Sequence, residues 1–161
     1  YFSEESLLRI DTNMILAILL LDDSDNFLYF CHKYKVPNLT KNKLELLSRF
    51  FQEVKEDKNF FKKNIKKNTY FLGKDFLKSL AILLFFENKS FKYKELNLIF
   101  KDIEVTSVPK FPFDGEFLKK RGFTEGKKIG LALKELEGDW VKNNFSLSED
   151  NINTILEKVK N

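Results

Sequence analysis

Three groups of side chains in this sequence have residue types and spacings that could do chemistry. Cys31 and His32 put a thiol beside the only imidazole of the chain. Asp22, Asp23 and Asp25 place three carboxylates within four residues. Two cationic stretches, Lys62-Lys63 with Lys66-Lys67 and Lys119-Lys120-Arg121 with Lys127-Lys128, make up the third group. The first two lead nowhere catalytic. A nucleophilic cysteine needs its base within hydrogen-bond reach, and adjacent residues on a helix point about 100° apart. Without a second imidazole, a His-His metal site, an H-x-x-x-D phosphohydrolase pair and a Ser-His triad each lack support. Cys31 therefore reads as a small buried hydrophobe and His32 as an exposed helix residue. The aspartates flank Ser24 at a helix end, where carboxylates cap the following turn. One cysteine excludes a disulfide framework and a multi-Cys zinc site, and neither a Walker loop nor a G-x-G-x-x-G after a strand is present. No catalytic residue, metal ligand or cofactor site is expected in this chain.

The cationic stretches carry more. Lys62, Lys63, Lys66 and Lys67 fall at i, i+1, i+4 and i+5 of one predicted helix and form a basic strip. They lie in the most basic part of the chain, since residues 59–105 hold ten cations against five acids. The strip reads either as a solvated face in a lysine-rich chain or as a contact with RNA phosphates, which senses A-form geometry without reading bases. The second stretch surrounds glycines: a short helix closes at Gly122, and a new helix starts at Gly126 with Gly130 one turn on. Glycines at 126 and 130 share a face and leave the backbone bare. The unpaired amides and positive dipole end of that helix, flanked by Lys119, Lys120, Arg121, Lys127 and Lys128, suit an anion such as a nucleic-acid phosphate. The competing reading makes Gly122 a plain helix cap and Gly130 a close-packing residue. Tyr70, Tyr93 and Phe123 either stack on bases or fill the core, and Trp140 follows Leu133 and Leu136 at core spacing.

The elements that position these residues follow from the pattern. Of 161 residues 43% are apolar, including 18 Phe, enough for a core and no case for disorder. The longest apolar run, Met14 to Leu21, is far short of the ~20 residues of a bilayer span, and the amino end has no signal-peptide layout. A cytoplasmic protein with no membrane partner is expected. Apolar residues recur every three or four positions and no stretch alternates, so the predicted fold is all-α. Helices are predicted over about 4–21 with a break near Asp11, 25–34, Thr40 to Lys58 with Thr40 as cap, 61–72, 74–88 and 93–103. Beyond the Pro109 and Pro112 linker come 115–121, 126–143 and 149–159. Leu44, Leu47, Phe51 and Val54 make an apolar stripe, Gly73 suits a left-handed cap, and Ser148 caps the last helix. A boundary near 106 divides a helical body, 1–106, from a glycine-rich helical tail, 107–161.

Residues 109–145 resemble the carboxyl-terminal body and tail of bacterial CCA-adding tRNA nucleotidyltransferases and the related poly(A) polymerases. The likeness is carried by Pro109, Phe111, Pro112, Gly115, Leu118, Gly122, Gly126, Ile129, Gly130, Leu133, Leu136, Glu137, Trp140 and Phe145. Glu116-Phe117 replaces the Asp-Leu of the family block, and Lys127 stands where the family has proline. The resemblance implies a part that grips the acceptor and T arms of tRNA by backbone and shape. Nucleotide addition would then belong to a head absent from this sequence, on the same polypeptide or a separate one, where two aspartates hold Mg²⁺ and CTP or ATP binds. The RNA-facing candidates are Lys119, Lys120, Arg121, Gly122, Gly126, Lys127, Lys128 and Gly130, with Lys62, Lys63, Lys66 and Lys67. The alternative is a helical protein-interaction module whose Phe-rich faces dock a partner and which binds no nucleic acid.

Overall fold

A computed structural model describes residues 10–22, 24–57 and 59–160. Ten helices and no strand occur among them, the all-α fold that the apolar spacing predicts. Contacts divide the chain between Thr106 and Ser107 into two units, each with its own core.

The first unit contains α1 (Thr12–Leu20), α2 (Asn26–Lys33), α3 (Asn38–Glu56), α4 (Phe60–Lys63), α5 (Ile65–Leu72), α6 (Lys74–Glu87) and α7 (Tyr93–Val105). Helix α6 is central because its sequence is apolar on every side from Leu80 to Leu83, and all four residues are buried. It packs on α7, α3, α1 and α5. The stripe of α3 supplies Leu44, Leu47, Phe51 and Val54, each no more than 3% exposed. Lys78 is a buried cation on α6, and its ammonium is paired with the Glu104 carboxylate near the end of α7. Lys74 donates to the Glu104 carbonyl at 2.5 Å, so two lysines of α6 fasten α7. Burying a charge is tolerable only with such a partner.

Several boundaries differ from expectation for local reasons. Asp11 begins α1 by accepting the Met14 amide at 2.7 Å, while residues 1–9 lie outside the described part. Helix α3 starts directly after Pro37, leaving Thr40 inside the first turn instead of at its cap. The helix expected over 61–72 breaks at Asn64 (φ −136°, ψ 30°) into α4 and α5. Gly73 has φ 79° and ψ 158°, an extended mirror-image conformation rather than a left-handed cap. Asp22 accepts from the Ser24 backbone amide and hydroxyl and from the Asn26 side-chain amide, a turn-closing role; Asp23 lies outside the described residues. No group of three or more His, Cys, Asp or Glu among the described residues could hold a metal. His32 is exposed, and Cys31 is buried, which pushes its thiol pKa up. No described helix is long and apolar enough to cross a membrane.

Two outcomes test these local arguments. An added Cβ at Gly73 would meet nothing within 4 Å, so Gly73→Ala should cost ~1–3 kcal/mol through backbone strain alone, read by urea unfolding. Partial burial raises the Asp11 pKa, but the Met14 amide, Lys43 and Asn13 outweigh it and hold the carboxyl below its usual value. A depressed folded-state pKa gives stability that is present above the unfolded value and lost as pH falls through the folded one. Asp11→Asn keeps the cap without the charge. The stability gap between wild type and Asp11→Asn should therefore narrow below about pH 4.

Candidate nucleic-acid interface

The second unit is three helices, α8 (Gly115–Lys120), α9 (Gly126–Lys142) and α10 (Glu149–Lys160), after an extended segment. Its core is Leu118, Phe123, Ala132, Leu136, Ile152 and Leu156, with Phe111, Phe113 and Phe117 packed against it. Asp114 starts α8 by accepting the Phe117 amide at 2.9 Å. The helix ends in a Schellman turn: the Phe123 amide donates to the Leu118 carbonyl at 3.1 Å and the Gly122 amide to the Lys119 carbonyl at 3.0 Å. Gly122 supplies the required positive φ of 87°. Phe123 is 4% exposed, so it is a core residue and no base-stacking platform. Tyr70 and Tyr93 are half-buried, Tyr93 against the core of the first unit and Tyr70 edge-on to Phe71 at 5.2 Å. Trp140 is buried between the edges of Phe111 and Phe145.

Helix α9 begins without a side-chain cap, and Gly126, Lys127 and Lys128 are exposed. The amides of a first helical turn have no intrahelical partner, so this tip presents them to solvent. Neither Gly126 nor Gly130 is needed for packing: a Cβ at either position would meet nothing within 4 Å. The close-packing reading of Gly130 is therefore overturned, because the residue faces open space on the same side as Gly126.

The cations around the tip are not equivalent. Arg121 donates to both oxygens of Glu149 at 2.9 and 3.2 Å and to Asn153 at 2.9 Å, with its guanidinium 4.6 Å from the Phe117 ring centre. That geometry ties the turn to α10. Lys160 closes the same turn from the far end of α10, donating to the Arg121 carbonyl at 2.9 Å and lying over the Phe123 ring. Lys128 reaches the Lys160 carbonyl at 3.2 Å. Lys119 pairs with Glu116 at 2.6 Å, which raises its pKa through that hydrogen bond. Lys120 and Lys127 are exposed and hold no ion pair with a described residue. Sequence spacing could not separate these roles, because Glu149 and Asn153 lie about thirty residues away from Arg121. In the first unit, Lys62, Lys63, Lys66 and Lys67 are all exposed, but the break at Asn64 divides them between α4 and α5. The single-helix strip is thus two lysine pairs.

No family model and no solved structure matches the chain. Curated relatives do. The mitochondrial CCA tRNA nucleotidyltransferase 1 of Danio rerio is 38% identical over 61 residues, 38% of this chain and 14% of that protein. About two fifths of the chain is similar to CCA tRNA nucleotidyltransferases. The Homo sapiens enzyme of that name is 30% identical and the Mus musculus one 31%, each over 67 residues, 42% of this chain. The matched segment is only 14–15% of each nucleotidyltransferase. These relatives are vertebrate mitochondrial enzymes, so the likeness holds for the CCA-adding group without selecting a bacterial branch or a compartment.

A structural role for Arg121 makes a definite prediction. Arg121→Ala should lower the stability of the second unit by ~1–2 kcal/mol, more than an exposed cation would, as measured by thermal unfolding. An unchanged melting temperature would show that the fork to Glu149 and Asn153 contributes nothing.

Proposed function

We propose that this chain is a tRNA-holding part of a tRNA nucleotidyltransferase, with nucleotide transfer carried out by groups outside it. The observation that carries the reading is the partial similarity to CCA tRNA nucleotidyltransferases, and the exposed tip of α9 supports it by giving the chemistry a place. Phosphates of the acceptor and T arms would approach the uncapped amides at Gly126 to Lys128. Lys120 and Lys127 supply charge, and Gly130 leaves room for the RNA backbone along the same face. Lys62, Lys63, Lys66 and Lys67 offer a second set of backbone contacts. Such contacts follow helix shape and carry no base sequence, which suits a substrate class whose members share one architecture. Whether the intact protein completes CCA or adds poly(A) would be decided by its catalytic groups, which need Mg²⁺ with CTP or ATP.

Glycine in a helix interior costs about 1 kcal/mol relative to alanine. Gly130→Ala should therefore stabilise the fold while weakening tRNA binding, an opposition that a packing role would not produce. In a fluorescence anisotropy titration, Lys120→Ala with Lys127→Ala should weaken binding equally for every tRNA tested. It should also flatten the slope of log affinity against log salt by about one unit per lost phosphate contact. Unaltered affinity and slope in both variants would remove the α9 tip from the RNA-holding surface.

A further inference from the structure

A cleft of about 570 Å³ in the first unit lies between the end of α3, α4, the end of α6, the Asn88–Phe91 loop and α7. Its volume falls in the range of small-ligand sites, roughly 300–1,000 Å³. The apolar part includes Phe61, Leu84, Phe91 and Ile99, and its charged walls are of opposite sign. Lys55 and Lys62 come from α3 and α4, while Glu95 and Asp102 come from α7. We propose that this cleft binds one nucleotide, with its phosphate at Lys62 and its base among Phe61, Phe91 and Ile99.

The polar groups differ in what they have left to offer. The Glu95 carboxylate already accepts the Lys92 amide at 2.9 Å in the capping box of α7, and Lys55 lies 3.9 Å from Glu87. Asp102 is exposed and its carboxylate takes no hydrogen bond from the described residues, so it can accept from the exocyclic amine of adenine, cytosine or guanine. Asn88 accepts the Ser90 amide at 3.0 Å and hydroxyl at 2.7 Å through its oxygen, leaving its own N–H groups to donate to a ring nitrogen or carbonyl. An aromatic and aliphatic floor suits a base, because every base has a π-face to stack. Lys62 is exposed where it lines the cleft, with Lys63 next to it on α4, so a phosphate has a cation at the cleft wall. An apolar peptide would need no such cation.

The nucleotide could be free or part of an RNA strand; the second source rests on the tRNA-holding reading, the first does not. The test is an NMR titration of the ¹⁵N-labelled chain with adenosine monophosphate, uridine monophosphate and a short single-stranded oligoadenylate, in wild type, Asp102→Ala and Lys62→Ala. Expected are saturable shifts at the Phe61, Ser90, Phe91 and Ile99 amides. Adenosine monophosphate should bind more tightly than uridine monophosphate, and Asp102→Ala, which removes the acceptor, should reduce its affinity about fivefold, as loss of one hydrogen bond implies. Binding of the oligonucleotide alone, with the same loss in Asp102→Ala, would assign the site to RNA. No saturable shift with any nucleotide, or equal binding by both variants and wild type, would overturn the cleft assignment even if tRNA still bound at α9. Loss of tRNA binding with retained adenosine monophosphate binding would instead remove the tRNA-holding reading and leave the cleft in place.

Discussion

The turn between α8 and α9 is held by a fork of charge, and the second unit depends on it. Among the described residues that unit buries eight side chains, a cluster of six together with Trp140 and Val141. A core this small fixes a helix direction poorly by itself. Arg121 adds a bidentate grip on Glu149 and a bond to Asn153, and Lys160 returns to the Arg121 carbonyl. Both ends of α10 are thereby tied to the residues that precede α9. The same bonds decide which cations remain for a ligand: Arg121 and Lys160 are spent on the fold, and Lys120 and Lys127 are left outward.

The glycines of α9 run against helix propensity. Three of its seventeen residues are glycine, and none of the three has an atom within 4 Å of the place a Cβ would take. Gly130 and Gly138, inside the helix, each cost about 1 kcal/mol relative to alanine without a packing gain inside the unit. Gly122 is different in kind, because its φ of 87° is the turn itself. Bare backbone beside uncapped amides is what close approach of a phosphate chain requires. The fold gives Gly126 and Gly130 no other employment.

Legibility in the sequence followed the range of the physics. The stripe Leu44, Leu47, Phe51 and Val54 and the burial of Leu136 and Trp140 depend on helical period alone, so spacing revealed them. Pro37 was ambiguous because proline both ends one helix and precedes the next; here α3 follows it at once and Thr40 loses its capping role. The break at Asn64 was hidden because nothing in the apolar pattern changes there. Within the candidate interface, the glycine turn and exposed tip were readable as local features. The assignment of Arg121 to the fold was not, since its partners arrive from a helix about thirty residues on. Phe123 takes the core alternative of its two readings, in one cluster with Ile152 and Leu156 of α10, which spacing alone does not select.

Amide hydrogen exchange at Gly126, Lys127 and Lys128, measured by NMR with and without a tRNA acceptor–T-arm minihelix, tests the central claim most directly. Free first-turn amides exchange quickly, and a phosphate seated on them must slow that exchange. The account predicts protection at these three positions on RNA binding, growing weaker as salt is raised. RNA bound to the chain with these amides exchanging at their free rates would contradict it.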